Sequence, residues 1–294
     1  MNLNDFVIFQ AVAEHNSFTK AAAETNTVQS NVTARIKALE EYFKVRLFER
    51  TSRSIKLTDE GSQILKVAKE VQLLLENARV KVGGSAPVRS LIKIGCIHTT
   101  AALRAPGIIK DFTDEYPYVE FRLKTGTSAS LVRDVLSYKL DAAFIAGDVH
   151  MPELNVRPVI IEELCMVTSA LITDPEQIMM SSKPLKLIVF SNGCSYRKHF
   201  ENFLSSARIK QFTAIEVDTL EGIINAVEDG IGITILPMAL MVKYYNYRNL
   251  KTFPLPGHFA RMQTSFIRRK DLTFSDSHQR FFNTIENGYL NLLK

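Results

Sequence analysis

The stretch SFTKAAAETNTVQSNVTARI, residues 17–36, decides the fold of the N-terminal part of the chain. Two short helical patterns follow each other within it, and a tight polar break separates them. Phe18, Ala21 and Ala22 are the apolar and small residues that closely crossing helices need, and Ser17 can cap the first helix. The second pattern leaves small polar and basic side chains on its free face. A helix-turn-helix is therefore predicted, in which one helix can enter the major groove of DNA while its partner braces it.

The segments on either side of this stretch complete a small module. Apolar residues with helical spacing precede it, and the pair Leu47-Phe48 forms an apolar anchor behind it. Residues 49–57 then alternate as in a small β-hairpin, whose tip is formed by residues 52–54. Residues 29–57 carry seven basic and three acidic side chains, which accounts for most of the chain's net charge of +5. The pattern is typical of a winged helix-turn-helix.

A long helix is predicted to follow the hairpin. Thr58 is a good N-cap, and Asp59 and Glu60 are favourably placed in the first turn. Apolar residues then recur at alternating spacings of four and three, which favours pairing with a second copy of the helix. An ordinary amphipathic helix that lies on its own domain is the alternative. The sequence GGSAP at residues 83–87 is typical of a linker. The seam consists of Ile64, Ala68, Val71, Leu75, Ala78 and Val82.

From Val88 onward, strand and helix patterns alternate in two halves of similar size. This alternation predicts an α/β domain with two subdomains. Among its elements we expect a helix from Ala101 to Thr113 and a strand near Glu163 to Thr168. The predicted boundaries are 1–58 for the winged helix-turn-helix, 59–87 for the dimerisation helix and hinge, and 88–294 for the regulatory domain, with one subdomain at about 88–161 and 267–294 and the other at about 162–266.

Over its whole length the chain resembles the LysR-type transcriptional regulator family. The likeness is strongest in SFTKAA at 17–22, QSNVT at 29–33, LFER at 47–50 and LTDEG at 57–61, in this order and spacing. The resemblance implies a winged helix-turn-helix, a dimerising linker helix and an effector domain similar to periplasmic binding proteins, with two α/β subdomains around a cleft. It also implies a homodimer through the linker helix and a homotetramer. Such a protein binds promoter or operator double-stranded DNA and switches transcription by RNA polymerase when a small-molecule effector binds.

Two positions depart from the family's pattern. Val28 stands where a capping Ser or Thr is frequent before the recognition helix, so Thr27 is an alternative cap. Ala34 stands where many members have arginine, and Arg35 follows it.

The DNA contacts are predicted from the free face of the second helix and from the hairpin. Gln29 can contact a base edge bidentately, with a preference for adenine, and Arg35 can read guanine. Arg50 and Arg53 can clamp a phosphate or enter a minor groove. Each of these residues taken alone could equally be a solvated surface residue. The predicted contacts are Ser17, Thr19, Gln29, Ser30, Asn31, Thr33, Arg35, Lys37, Arg50 and Arg53.

The effector contacts are predicted from the ends of strands and the starts of helices, where the lobes of a two-lobed domain face each other. Hydroxyls and free N–H groups at such positions suit a small anion such as a carboxylate. Thr100, Thr127 and Ser128 are the leading contacts, although an N-cap is the commoner role of each. The predicted contacts are His98, Thr99, Thr100, Gly126, Thr127, Ser128, Ser191, Asp218 and Thr219.

Cys194 suggests an alternative input. It lies in a polar loop at a predicted helix N-terminus, which would lower the pKa of its thiol, so a redox-responsive regulator is one hypothesis and a small packed residue the other. Arg197 can supply a charge to a ligand or pair with Glu201 one helical turn away. His98 is either a hydrogen-bonded structural residue or a pH-sensitive group.

Other function classes find little support in the sequence. The three cysteines are widely spaced, which argues against a disulfide framework and for a reducing compartment. No secretory or membrane-spanning segment stands out, so a cytoplasmic protein is expected. The histidines lack metal-ligand spacing, and phosphate-binding and nucleophile-elbow motifs are missing, so we expect no metal, no cofactor and no catalytic residue. A ligand-binding or enzymatic protein on the same two-lobed fold and a ligand-independent DNA architectural protein remain as alternatives.

Overall fold

The computed structural model of the protein divides into two compact units. These are Met1–Val88 with Asp271–Ser275, and Arg89–Lys270 with Asp276–Lys294. The structure describes residues 1–51, 55–83, 90–174, 184–209 and 211–288.

The N-terminal unit is a winged helix-turn-helix followed by a long helix, as the sequence predicts. Ser17 is the N-cap of the second helix and accepts a hydrogen bond from the backbone N–H of Lys20. Asn26, with φ +50°, makes the left-handed turn between the second and third helices. The elements are α1 (Leu3–His15), α2 (Phe18–Glu24), α3 (Gln29–Phe43), β1 (Phe48–Arg50), β2 (Ile55–Leu57) and α4 (Asp59–Gly83).

The apolar residues of the decisive stretch form the core of this unit. Ala21 is fully buried where α2 crosses its neighbours, and the rings of Phe9 and Phe18 meet that of Phe48 edge to face. The strands β1 and β2 pair in antiparallel fashion, with Phe48 opposite Leu57, which confirms the predicted hairpin. The tip of the hairpin, with Arg53, lies outside the described residues.

The first turns of α4 pack on their own unit. Leu65 and Ala68 are buried there, whereas Ile64 is only half-buried. Further along, Leu74 and Leu75 are 67% and 41% exposed. The residues of α4 that are buried within the unit, Leu65 and Ala68, therefore share only Ala68 with the predicted seam. Pairing of α4 with a second copy stays a prediction, and the side chain of Val82 lies outside the described part of the chain.

The second unit is a two-lobed α/β domain, as predicted. Its larger sheet has the strand order β10-β6-β11-β5-β3-β4, with β9 also paired to β6, and its smaller sheet joins β7 and β8 in parallel. The elements are β3 (Ser90–Cys96), α5 (His98–Leu103), α6 (Ala105–Glu115), β4 (Val119–Thr125), α7 (Ser128–Leu136), β5 (Ala142–Ala146), β6 (Leu154–Ser169), β7 (Leu185–Val189), α8 (Ser195–Ser206), β8 (Phe212–Glu216), α9 (Leu220–Glu228), β9 (Thr234–Pro237), α10 (Met238–Leu240), a π-helical turn (Met241–Tyr245), β10 (Leu250–Pro254), a 3-10 turn (Gly257–Ala260), β11 (Arg261–Arg269) and α11 (Asp276–Gly288).

Two predicted elements differ from the structure. The helix expected at 101–113 is two helices, because the chain breaks at Arg104 and Pro106 then opens α6. The strand expected near 163–168 begins at Leu154. Its first part contains Pro158, which lies beside an irregularity in the pairing with β11, and this part lacks the continuous apolar run of a buried strand.

The long strand β6 connects the two lobes. Its first part pairs with β11, and its later part pairs with β9 and β10. The first lobe consists of β3–β5, β11, the first part of β6, α5–α7 and α11, and the second lobe contains the remaining elements. One apolar cluster spans both lobes, with Val135 and Ile145 from the first and Leu187, Phe200 and Ile224 from the second. No helix in the described residues is both long enough and apolar enough to cross a membrane.

Candidate DNA-binding surface and effector cleft

The helix α3 buries one face and presents the other. Val32, Ile36 and Leu39 are fully buried, whereas Gln29 and Lys37 are exposed. Such a helix is held rigidly by its apolar side, and its polar side remains available for a groove of DNA.

The N-terminus of α3 carries no side-chain cap. Val28 is the N-cap residue and has no side-chain hydrogen bond to the first turn. Thr27 does not replace it, so that expectation is wrong: its hydroxyl accepts a hydrogen bond of 2.8 Å from the Asn31 side chain. The first turn of α3 is therefore not satisfied by a side-chain cap, and uncapped N–H groups at a helix start suit a phosphate.

Gln29 and the residues around it form a small hydrogen-bonded group. The Thr19 hydroxyl lies 2.9 Å from Gln29 Oε1, and the Thr33 hydroxyl donates to the Gln29 carbonyl oxygen at 3.0 Å. Ser30 is exposed beside them, and Lys37 lies further along α3 with Glu41 at 3.7 Å. The structure thus brings together three of the predicted DNA contacts, Thr19, Gln29 and Thr33.

Arg35 lies elsewhere on α3. Its guanidinium donates a 3.1 Å hydrogen bond to Asp5 of α1, a buried carboxylate that also accepts the Asn2 N–H in a capping box. At 3.6 residues per turn, Arg35 is rotated by about 120° from Gln29 around the helix axis. The structure therefore ties Arg35 to α1, away from the side on which Gln29 lies.

The hairpin arginine that the structure describes is also held in place. The Arg50 guanidinium lies over the Phe18 ring at 4.6 Å and 3.7 Å from Glu40. A cation over an aromatic face is attracted by the ring. Arg50 is thus fixed beside the helices α2 and α3, at the base of the wing.

In the second unit, the predicted effector residues of the first lobe meet the second lobe. The His98 ring stacks on Phe190 with centroids 4.4 Å apart, and the Thr99 hydroxyl lies 3.2 Å from the hydroxyl of Tyr196. Thr99 and Tyr196 are both buried. Tyr196 and Phe190 were missed in the sequence, because a buried aromatic side chain does not show from its own position which strand end it will meet.

The start of α7 is a second meeting point. Thr127 is its N-cap and accepts a hydrogen bond from the Ser130 N–H at 3.3 Å. The buried Ser128 hydroxyl exchanges two 3.1 Å hydrogen bonds with the backbone of Ala146. Both hydroxyls therefore already serve the protein's own backbone, which is the simpler of the roles considered for them.

The lobes approach each other closely beside this helix start. The Ala129 N–H donates to the carbonyl oxygen of Gly193, and the Ser195 hydroxyl donates to that of Ala146 at 2.6 Å. Gly193 has φ +92°, and a Cβ atom at this position would lie only 3.0 Å from the Ala129 side chain. A glycine is needed here for its backbone conformation and for the narrow approach. Gly126 precedes the same helix, next to Ser130.

The other predicted effector residues are less uniform. Thr100 is 2% exposed and lies in α5 next to Thr99. Ser191 is half-buried in the loop before α8. Asp218 and Thr219 are exposed, and Thr219 caps α9 through a 3.1 Å hydrogen bond from the Gly222 N–H.

Two ionisable groups at the interlobe contact are perturbed by burial. Burial lowers the pKa of His98, and the nearby negative charge of Asp218 partly opposes that shift. Burial raises the pKa of the Cys194 thiol, and this outweighs the lowering by hydrogen bonds from the backbone N–H groups of Arg197 and Tyr196. The expectation of a lowered thiol pKa is therefore wrong, because Cys194 is the buried N-cap of α8 and not an exposed loop residue.

Arg197 is already paired with carboxylates. Its guanidinium donates to Glu201 at 2.9 Å, one turn along α8, and to Glu216 of β8 at 2.5 Å. The contact with Glu201 confirms the alternative in which Arg197 pairs within its own helix, and Glu216 is a second partner. Among the described residues, no group of three His, Cys, Asp or Glu side chains is placed to hold a metal ion.

Comparisons with known proteins agree with this architecture. Residues 3–62 match the model of the bacterial regulatory helix-turn-helix protein, lysR family, and residues 85–289 match the LysR substrate binding domain. Relatives include the uncharacterized HTH-type transcriptional regulator YusT of Bacillus subtilis, 38% identical over 97% of this chain and 95% of that one. The HTH-type transcriptional regulator CzcR of Bacillus cereus is 36% identical over the full length of both chains.

Solved structures share the fold at low sequence identity. ArgP from Mycobacterium tuberculosis superposes with a TM-score of 0.73 at 18% identity, covering 98% of this chain and 97% of that one. A full-length OxyR variant from Pseudomonas aeruginosa gives 0.70 at 18% identity, with 98% and 94% covered. CbnR complexed with its target DNA gives 0.57 at 18% identity, with 97% and 99% covered.

A winged helix-turn-helix joined to a two-lobed α/β effector-binding domain defines a DNA-binding transcriptional regulator. The chain belongs to the LysR family of these regulators, since both family models match and together they span most of its length.

Proposed function

We propose that this regulator reads promoter DNA with α3 and changes transcription when a small anion, such as a carboxylate, binds between the two lobes. The observation that carries the first half is the exposed face of α3, where Gln29 and Ser30 lie at an uncapped helix start and Lys37 follows further along the helix. Base-reading side chains and phosphate-binding groups lie together on such a surface. Ser17, Asn31, Thr33, Arg35, Arg50 and Arg53 complete the proposed set of residues at or near the DNA.

The DNA half of the proposal is tested with the full chain and labelled duplexes. We expect binding whose affinity falls steeply with salt concentration. Lys37→Ala removes an exposed positive charge, whose surface ion pair with Glu41 is weak and leaves it able to contact a phosphate. The salt slope, the change of log binding constant with log salt concentration, should therefore decrease in magnitude by about 0.9. Lys110→Ala, an exposed lysine paired with Asp114 in the other unit, is the matched control. A slope that is the same in both variants contradicts the role of Lys37.

The effector half rests on where the hydroxyls and helix starts of the two lobes meet. We expect the effector to be lined by the segment 98–100, the start of α7 at 126–128, Ser191 and the start of α9 at 218–219, because His98 and Thr99 already contact Phe190 and Tyr196 of the second lobe. Thr100 is proposed as a contact because it is a buried residue of α5 next to Thr99, whose hydroxyl meets that of Tyr196 from the second lobe. A bound carboxylate oxygen would accept a hydrogen bond from the Thr100 hydroxyl.

A thermal-shift screen of the full chain against small carboxylates tests this half. A ligand that binds only the folded state must raise the melting temperature in a concentration-dependent way. Thr100→Val keeps the size of the side chain and removes its hydroxyl, so the shift should shrink. A hit that shifts wild type and Thr100→Val equally removes Thr100 from the contacts, and a flat panel removes the carboxylate.

The assembly completes the proposal. The region 59–87 acts as dimerisation helix and hinge, and two dimers form a tetramer that acts on RNA polymerase in the cytoplasm. The exposed apolar side chains Val67, Leu74 and Leu75 on α4 support pairing. Light scattering of Leu74→Lys should show a smaller species than wild type, and an unchanged mass argues against this helix as the contact.

A further inference from the structure

The residue Thr19 is placed to act through Gln29. Thr19 is the second residue of α2, Gln29 is the first residue of α3, and both side chains are exposed. The atoms in contact, 2.9 Å apart, are the threonine hydroxyl oxygen and the glutamine carbonyl oxygen Oε1. Because a carbonyl oxygen can only accept, the threonine hydroxyl donates.

This hydrogen bond uses the only proton of the hydroxyl. Phosphate oxygens are acceptors, so the Thr19 hydroxyl cannot donate to the DNA backbone while it is bound to Gln29. A hydroxyl that contacts phosphate directly would have to release the glutamine.

The same hydrogen bond leaves Gln29 able to read a base. Oε1 retains one lone pair, and the amide nitrogen retains both N–H donors. Adenine needs one donor and one acceptor from the side chain that reads it in the major groove. The contact therefore orients the carboxamide and removes neither of the groups that recognition requires.

An exposed glutamine at the start of a helix is otherwise mobile, and its ordering on DNA opposes binding. The backbone at Gln29 is already held, since the Thr33 hydroxyl donates to the Gln29 carbonyl oxygen, and Ser17 caps α2 two residues before Thr19. Thr19 supplies the constraint on the side chain itself.

We infer that Thr19 is a positioning residue for base readout, which holds the carboxamide of Gln29 in its reading orientation and does not bind phosphate. The inference rests on the proposed recognition of DNA by α3. It assigns to Thr19 a role in sequence preference, where a phosphate contact would contribute only to affinity.

The test uses the full chain and a pool of synthetic duplexes with a randomised core, selected by binding and sequenced. Gln29→Ala identifies the base pair that Gln29 reads, as the position whose preference relaxes. Thr19→Val should lower the preference at that same base pair by about two- to twelve-fold, the worth of one hydrogen bond, and should not weaken all duplexes equally. Thr19→Ser keeps the hydroxyl and should retain the preference.

A second readout separates positioning from an independent contact. In the Gln29→Ala background, Thr19→Val should have no further effect, because nothing remains to be positioned. Thr25→Val is the matched control: its hydroxyl donates to the Ala21 carbonyl oxygen at the other end of α2. Melting curves of all variants establish that each one folds.

Several results would overturn the inference. Thr19→Val that weakens all duplexes equally, with no change in base preference, makes Thr19 a phosphate contact. Thr19→Val that behaves as wild type, Thr19→Ser that behaves as Thr19→Val, or Gln29→Ala that relaxes no base pair shows that no readout is positioned. If the wild-type chain binds no duplex at all, the proposed function itself fails first, and this result is obtained before any variant is compared.

Discussion

Replacing Tyr196 by phenylalanine should destabilise the two-lobed unit through a residue that lies 97 positions away in sequence. The tyrosine hydroxyl is the 3.2 Å partner of the Thr99 hydroxyl, and both residues are at most 5% exposed. Tyr196→Phe leaves the Thr99 hydroxyl buried and unpaired, which costs about 1–3 kcal/mol. Thr99→Val leaves the tyrosine hydroxyl unpaired and should cost a similar amount.

The double variant Tyr196→Phe with Thr99→Val tests whether the two hydroxyls depend on each other. With both hydroxyls removed, no buried polar group is left unpaired, so the double variant should cost less than the two single variants together, by about 1 kcal/mol or more. For a domain of roughly 200 residues, each kcal/mol lowers the Tm by about 2–4 °C. Scanning calorimetry of the full chain, or denaturant unfolding followed by far-ultraviolet circular dichroism, measures the difference.

The effect should not depend on pH near neutrality. Burial is the main cause that raises the pKa of Tyr196, so its hydroxyl stays protonated in this range. Tyr247→Phe, which removes a hydroxyl from a side chain that is 76% exposed, is the control and should change nothing. Additive costs of the two single variants would refute the argument, because they would show that the two hydroxyls do not depend on each other.

Three further predictions concern stability and reactivity. Gly61→Ala should lower the melting temperature of the N-terminal unit, because its Cβ atom would lie 2.1 Å from the Leu47 carbonyl oxygen. At Gly107 an added Cβ atom meets nothing within 4 Å, so Gly107→Ala is the control and should be neutral or stabilising. Equal melting temperatures of the two variants would contradict this prediction. The pKa of His98 is lowered in the folded protein, so the unfolded chain binds the proton more readily and the stability contributed by His98 is lost as the pH falls below 6.5. Denaturation at several pH values should therefore show a smaller loss of unfolding free energy for His98→Phe than for wild type. The same dependence of unfolding free energy on pH in both proteins would contradict this prediction. Burial raises the pKa of the Cys194 thiol, so mass spectrometry should show slower alkylation by iodoacetamide at neutral pH than for free cysteine, and faster alkylation would restore the redox alternative.

Local signals in the sequence predicted the local structure well. Ser17, Thr127 and Thr219 were assigned to helix starts, and each is an N-cap in the structure. A cap is decided by a hydrogen bond to a residue two or three positions along the chain, so a short window of sequence contains all that is needed. The family resemblance, which rests on ordered motifs at fixed spacing, is confirmed by the relatives.

The surroundings of other residues depend on distant parts of the chain. One hypothesis gave Cys194 a lowered thiol pKa, but packing of the second lobe buries the thiol and raises its pKa, in agreement with the alternative of a small packed residue. Arg35 was read as a base contact from its place on α3, whereas the structure pairs it with Asp5 from the other end of the module. The partner of Arg35 and the burial of Cys194 cannot be predicted from neighbouring residues, because both arise only when the helices and lobes pack together.

The sequence alone therefore determined the class of this protein: a winged helix-turn-helix, a linker helix and a two-lobed α/β domain of the LysR family. The helices and strands follow from periodicity and capping, which act over a few residues, and the family follows from the resemblance of ordered motifs. Only the tertiary structure decided which predicted residues share a site. It joined Thr19 to Gln29, Thr99 to Tyr196 and Arg35 to Asp5, and it buried the Cys194 thiol. The physical reason is that hydrogen-bond partners and burial depend on how distant segments pack, whereas helix and strand patterns depend on the segment itself.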